Sequence, residues 1–463
     1  MEKEKPLDHE ALKHKARLIS IREGAAFGVF DGCGLRYITP YALLLGLPNA
    51  LIGPLITLPQ MIGNLSQLIT LKLLEKGFRR RTLAFTGTLL QTLMWIPLLV
   101  LGFTYFQWGV SLDWVAVNLI LFYSLMIVFG SAVGPAWSSW MGDILPQQVG
   151  EYFGWRNRII GSVTIAAILG AGSLLQICTH AGHSFFGFVM IFLLAFAGRL
   201  YSAFLLKRQY EPVFQPQKEY YFTIWQFIRK IPQSNFGKFV VYVSLMWLGV
   251  GISAPFFAVY MLKDLHFNYM QFTLVTMTMP FVSMLLMPAW GKFADRYGNL
   301  KVVRISGFMI PALPLLWALS GFFRSYPVIA VAYLILVEVL SGFTWAGFNL
   351  ASSNFIYDAV TRQRVAICVA YYNIFNGIGL FLGGLIGGQI AALTWHYREF
   401  SALVLVLLVS TMVRLLAALT MLPLIREVRD VARFGIRDAR QKLAMFSALD
   451  LLRVITVKSP RPR

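Results

Sequence analysis

The sequence predicts an all-α membrane protein with about twelve transmembrane helices arranged in two pseudo-symmetric six-helix bundles. Three observations carry that prediction. The 463 residues are 57% hydrophobic and 13% charged, more apolar than a water-soluble chain of this length can enclose in a core. The apolar residues gather into runs of spanning length. The two halves of the chain echo each other at a nearly fixed offset of 215 residues.

A spanning helix needs about 20 predominantly apolar residues. The first six runs are Ile21 to Gly46, Asn49 to Leu74, Thr82 to Phe106, Leu112 to Gly142, Ile159 to His180 and Phe185 to Leu206. The second six are Phe239 to Met261, Met270 to Trp290, Val302 to Phe322, Tyr326 to Phe355, Val365 to Leu393 and Phe400 to Leu424. They are numbered helices 1 to 12 below. The expected domains are a six-helix bundle with its N-terminal tail (1–206), a linker (207–238), a second bundle (239–424) and a basic tail (425–463).

The net charge of +20 could suggest a nucleic-acid partner, so its distribution decides. With both termini placed on one side, only Lys263, Arg324 and Arg398 fall on the other, and Arg36, Arg199 and Arg414 lie within apolar runs. Every remaining base is on the side of the termini. That is the positive-inside asymmetry of an inserted protein. It places both termini in the cytoplasm, with the chain in the plasma (inner) membrane, and needs no nucleic acid. Cys33, Cys178 and Cys368 are far apart and form no metal-ligand spacing, so neither a disulfide frame nor a cofactor is expected. The N-terminus lacks the layout of a cleavable signal.

The repeat organises the chain. Pro40 recurs as Pro255, Ser138 and Asp143 as Ser353 and Asp358, Ile159 and Gly172 as Ile374 and Gly387, and Arg199 and Ala203 as Arg414 and Ala418. Two bundles related by parallel duplication, with a site between them, are the simplest reading. In the linker, Tyr220 to Lys230 mixes aromatics with Arg229 and Lys230. This suits an amphipathic segment at the inner headgroup layer, as does Val428 to Ile455 in the tail, although a plain solvated linker and tail fit as well.

Between helices 8 and 9 the chain reads Gly291, Asp295, Arg296, Gly298 and Lys301 in a short charged turn. The first-half counterpart has Leu71, Glu75, Lys76, Phe78, Arg79 and Arg80 in the same places. This spacing resembles the signature loop of the major facilitator superfamily of secondary transporters. The resemblance implies a small-molecule substrate, membrane lipid as surroundings and alternating access between two bundles. It also implies that the loops hold the cytoplasmic face closed through ion pairs with helices 4, 5, 10 and 11. On that basis Asp295 and Arg296 are expected near Asp358 and Arg364, and Glu75 and Lys76 near Asp143 and Arg156. The alternative is solvated turn charges of small energetic weight. A non-transporting receptor or assembly factor on the same fold remains open, as does proton coupling.

Ionisable groups inside a bilayer are costly and face a partner or a cavity. Asp31, Arg36 and Glu338 are the deep ones. Asp31 and Arg36 stand five residues apart, about 140° around a helix, so no simple same-face pair is expected. A desolvated carboxylate is a natural proton carrier, which favours Asp31; a structural salt bridge is the other reading. Glu338 could anchor helix 10 through Arg36. Asn349, Asn354 and Asn373 either line the inner cavity or pack helices together. No phosphate-binding loop of a primary pump is present, and all six histidines fall in tails, helix ends or outer connections, so no enzyme chemistry is expected.

Overall fold

The computed structural model describes residues 9–144, 149–212, 223–361, 364–393, 396–397 and 400–431. Arg362 and the tail beyond Val431, including most of the amphipathic stretch expected there, lie outside the described residues.

Twelve long helices follow the twelve apolar runs. Helix 1 is His9–Cys33, continued by Leu35–Tyr37 and Ile38–Leu44; helix 2 is Asn49–Glu75; helix 3 is Arg80–Leu93 and Trp95–Trp108. Helices 4, 5 and 6 are Leu112–Ile144, Val149–His180 and Ser184–Arg208. A short linker helix, Ile224–Lys230, precedes helix 7, which is Asn235–Ser253 prolonged by Phe256–Val259 and a π turn at Tyr260–Asp264. Helix 8 is Tyr269–Tyr297, helix 9 is Asn299–Met309 with Ala312–Leu319 and Ser320–Phe323, and helix 10 is Pro327–Ala359. Helices 11 and 12 are Val365–Ala391 and Ala402–Met421, joined across a two-residue strand pair. Ten of these, all but helices 1 and 2, are long and apolar enough to cross a membrane on length and composition alone. Helix 1 starts among charged residues and is interrupted at Gly34, where a Cβ would strike the ring of Trp95. Helix 7 is broken at Pro255, which cannot donate to the ladder.

The halves pack alike. Helix 1 lies on helices 5 and 6, and helix 4 on helices 2 and 3; correspondingly helix 7 lies on 11 and 12, and helix 10 on 8 and 9. The bundles meet along two seams, helix 2 against helix 11 and helix 5 against helix 8. In the first seam the backbones nearly touch. A Cβ on Gly53 would collide with the carbonyl of Gly384, so neither position can carry a side chain while the seam is shut.

The two ends of the molecule differ. Away from the basic side, one apolar core is built from both bundles: Phe30, Tyr37, Trp95 and Phe192 share it with Ile252, Phe256, Tyr260 and Trp317. Tyr37 Oη donates to the carbonyl of Ile168 and lies 2.9 Å from Thr273 Oγ1 across the seam, and Lys263 Nζ donates to Asn49 Oδ1 at 3.1 Å. Toward the basic side the core divides. Ala84, Trp140, Ile144 and Leu206 form one cluster, while Phe239, Tyr242, Trp290 and Phe348 form another, against which, among the described residues, the first bundle packs the single hydrophobic side chain Leu68 of helix 2. The bundles are fused at one end and parted at the basic end.

Candidate functional site

Helix 1 uses most of its surface on its own bundle. Gly24, Gly28 and Gly32 sit against Ile160, Thr164 and Ala167 of helix 5, Ala26 and Val29 against Gly198 of helix 6, and Gly34 against Trp95 of helix 3. Asp31 is left near helix 4. There Arg36 Nη2 donates to Asp31 Oδ2 at 3.4 Å, with the two side chains 41% and 21% exposed. This corrects the expectation that the two residues do not pair. The 140° separation assumes an unbroken helix, but the helix ends at Cys33 and the tighter turn Leu35–Tyr37 swings Arg36 back over Asp31. Buried Tyr123 of helix 4 lies in the field of both charges.

Glu338 does not meet Arg36. Its carboxylate accepts from Trp317 Nε1 of helix 9 at 2.9 Å and is buried inside its own bundle. It ties helix 10 to helix 9.

Sequence reasoning missed Glu23. This buried carboxylate sits between two arginines, with Arg156 Nη2 3.1 Å from Oε2 and Arg199 Nη1 3.7 Å from Oε1. Ser202 Oγ donates to it at 2.9 Å, and Arg199 Nε donates to Gln91 Oε1 at 2.7 Å. Arg156 is thereby a strut of the first bundle rather than a partner of Glu75. A buried arginine demands an acid, and Glu23 was available in the first apolar run. Among the described residues Arg414 has no such acid. At the repeat offset Glu23 maps onto Lys238; Arg414 Nη2 donates to Ser253 Oγ at 2.6 Å while its Nε is buried with no partner among the described residues.

At the basic end the repeat reappears as geometry. Arg80 Nη1 binds Asp143 Oδ2 at 2.6 Å, and the Arg80 backbone N–H donates to Glu211 Oε1 at 2.9 Å. In the second bundle Asn299 Nδ2 donates to Asp358 Oδ2 at 2.6 Å, and the Leu300 N–H donates to Glu427 Oε2 at 2.9 Å. So Asp143 takes Arg80 instead of Lys76, and Asp358 takes Asn299 instead of Arg296. Both acids are satisfied within their own bundle by the start of the neighbouring helix, where the chain re-enters nearest to them. Gly298 makes this turn possible: its φ of +93° is open to glycine, and a Cβ would strike Glu427. In the first-half loop the left-handed residue is Gly77, one place before Phe78. Gly291 has room for a side chain, its nearest neighbour being Leu350 at 3.7 Å.

Glu75, Lys76, Arg79, Asp295 and Arg296 are exposed. Among the described residues none of these side chains forms an ion pair, and Arg296 lies over the ring of Tyr297 at 5.4 Å. Arg364 is exposed at the start of helix 11. Asn349 is exposed and Asn354 half-buried on helix 10. Asn373 belongs to the seam, accepting from Asn64 Nδ2 at 2.9 Å on its carbonyl and donating to Gln67 Oε1 at 3.4 Å. Among the described residues no cluster of His, Cys, Asp and Glu could hold a metal.

Two six-helix bundles related by duplication, joined at one end and parted at the other, define a secondary transporter of the alternating-access type. Residues 239–455 match the family model of the Major Facilitator Superfamily, and the first half repeats the same six-helix plan. It is a transporter and not an enzyme. No curated protein matches the chain in sequence. Among solved structures it is similar to a mutant of the nucleoside transporter NupG, with a TM-score of 0.66 at 14% identity over 90% of this chain and 100% of that one. An auto-inhibited POT family peptide transporter gives 0.66 at 14% identity over 91% and 99%. A bacterial homologue of the iron transporter ferroportin in its inward-facing state gives 0.62 at 14% identity over 90% and 100%. In its outward-facing state with soaked iron that homologue gives 0.52 at 15% identity over 89% and 99%.

Proposed function

We propose that this transporter carries a small polar solute across the inner membrane by alternating access, driven by protons that bind and leave Asp31. The basic side is the cytoplasm, and the arrangement described is inward-facing. The observation that carries the reading is the Asp31–Arg36 pair, which stays partly accessible while the other intramembrane charges, Glu23, Arg199, Glu338 and Arg414, are buried in their own bundles. Protonating Asp31 frees Arg36, whose planar fork of donors suits an anionic or polar group of the solute. Deprotonation re-forms the pair and expels the solute. The similar structures carry a nucleoside, a peptide or iron according to their titles, so the fold leaves the solute's class to the site.

The loops close the cytoplasmic face in the other half of the cycle. Asn49 lies against Ala391, Gly53 against Gly384 and Asn64 against Asn373. Continued in this antiparallel register, Glu75 arrives at Arg364 and the start of helix 11. Gly172 lies against Thr273 and Gly161 against Met284, a register that brings Asp295 to the start of helix 5. Each acid would then meet the positive end of a helix in the opposite bundle, a contact made and broken as the bundles rock.

The test is flux into proteoliposomes under a pH gradient, with solute exchange measured in the same vesicles. Asp31→Asn should abolish proton-driven flux and spare exchange. Proton-driven flux that survives would remove Asp31 from the mechanism, and no flux of any solute in the unaltered protein would favour a receptor.

A further inference from the structure

A cavity of about 350 Å³ lies at the basic end of the second bundle, where the linker helix meets the junction of helices 10 and 11. Its polar wall is Gln226, Lys230 and Ser234 on one side and Thr361 and Arg364 on the other, with Cys368 in its lining. The lining holds two cations and no carboxylate. Lys230 and Arg364 are both exposed, and among the described residues neither side chain has a hydrogen bond or ion pair. Two like charges held across one cavity repel unless an anion comes between them.

The linker helix is docked rather than loose. A capping box at Thr223 and Gln226 starts it. Buried Phe227 stacks on Tyr371 of helix 11 at 5.5 Å and 28°, with Phe236 and Phe375 at 6.0 and 5.8 Å. On its other face Trp225 is 71% exposed. An exposed tryptophan beside lysine and arginine at the end of a spanning bundle marks the headgroup level of the bilayer. The cavity therefore opens among phosphates, and its hydroxyl and amide donors from Ser234, Thr361 and Gln226 suit phosphate oxygens.

We propose that this cavity binds a phosphate-bearing headgroup, presented by an anionic phospholipid of the adjoining leaflet or by a soluble phosphate ester. Lys230 and Arg364 supply the counter-charges. The bound phosphate bridges the linker helix to the first turn of helix 11, which also forms the seam with helix 2. The site is separate from Asp31 and Arg36, and its occupancy does not depend on proton coupling there.

The full-length protein is reconstituted in phosphatidylcholine nanodiscs with or without phosphatidylglycerol, and retained lipid is counted by native mass spectrometry after release into detergent. Phosphatidylglycerol should be retained selectively. Lys230→Gln combined with Arg364→Gln should weaken retention roughly thirtyfold, the loss of two basic contacts to an anionic headgroup. Hydrogen exchange over residues 224–231 of the unaltered protein should slow with phosphatidylglycerol, a readout that needs no variant. If inorganic phosphate displaces the lipid and slows exchange equally, the proposal holds with a soluble ligand as the source. Equal retention by the unaltered and doubly substituted chains, or exchange that ignores both phosphatidylglycerol and phosphate, would overturn it.

Discussion

Glu211 and Glu427 perform the same task in the two bundles, each carboxylate accepting a backbone N–H at the start of a long helix. Glu211 takes the N–H of Arg80 on helix 3 and Glu427 that of Leu300 on helix 9, both at 2.9 Å. The acids follow helices 6 and 12 and stand 216 residues apart. Each satisfies an orphan donor and places negative charge at the positive end of a helix. They bind the last helix of each bundle to its third.

Glu211→Gln should therefore destabilise the first bundle by about 1.5–3 kcal/mol, the range for a hydrogen bond to a charged group. The loss falls toward the upper end because buried Arg80, whose Nε lies 3.6 Å from Glu211 Oε1, keeps its charge. Glu427→Gln should cost less, since the partners its carboxylate has among the described residues are backbone amides, those of Leu300, Val428 and Arg429, and no buried charge is stranded. Thermal unfolding of the two variants in detergent checks the order; a larger loss for Glu427→Gln would count against it.

Glu23 neutralises two arginines at once. Glu23→Gln leaves Arg156 and Arg199 without an acid and should cost about 3–5 kcal/mol, the penalty of breaking a buried pair. Low yield and early unfolding are the expected signs. The double variant Glu23→Gln with Arg199→Gln should recover part of the loss, because it removes the charge left stranded. No recovery would place the damage elsewhere.

Asp295→Asn and Glu75→Gln should leave folding intact, as both side chains are exposed and, among the described residues, form no ion pair. Transport should fall, because the contacts proposed for them are made only when the basic end is shut. Initial uptake rates beside unfolding temperatures separate the two effects. Unchanged kinetics would make these acids ordinary turn residues.

Gly384→Leu forces a side chain into Thr57 of helix 2, where even a Cβ has no room. The seam cannot shut around it, so the population should move toward the form open on the far side. Spin labels on helices 2 and 11 at that end should report a longer distance. An unaltered distance distribution would mean that the seam gives way without opening the molecule.

The helices and their duplication were legible in the sequence because hydropathy and repeat spacing are local or one-dimensional signals. All twelve apolar runs became helices, with ends moved mainly where amphipathic turns extend past the apolar stretch, as in helix 5 beginning at Val149 rather than Ile159. Partners were less legible. The Asp31–Arg36 pair depends on a helix break at Gly34, invisible to a periodicity that assumes an unbroken helix. Arg80 rather than Lys76 meets Asp143 because the turn at Gly77 directs the start of helix 3, not the end of helix 2, toward helix 4. Glu211 and Glu427 were readable in principle, one position away from the repeat offset, but they lie outside the spanning runs where charges draw notice.

The single apolar core at one end and the divided core at the other make the two half-cycles unequal. Shutting the basic mouth requires no shared apolar core to be split. Opening the opposite mouth means splitting Phe30, Tyr37 and Trp95 away from Ile252, Phe256 and Tyr260, each large side chain worth about 1.5–3 kcal/mol when exposed. An empty carrier thus waits with its mouth toward the basic side, and a solute on the far side meets a door that opens seldom. A blocker lodged from the basic side would capture the molecule at rest, whereas one applied from the far side would have to catch it in a brief excursion.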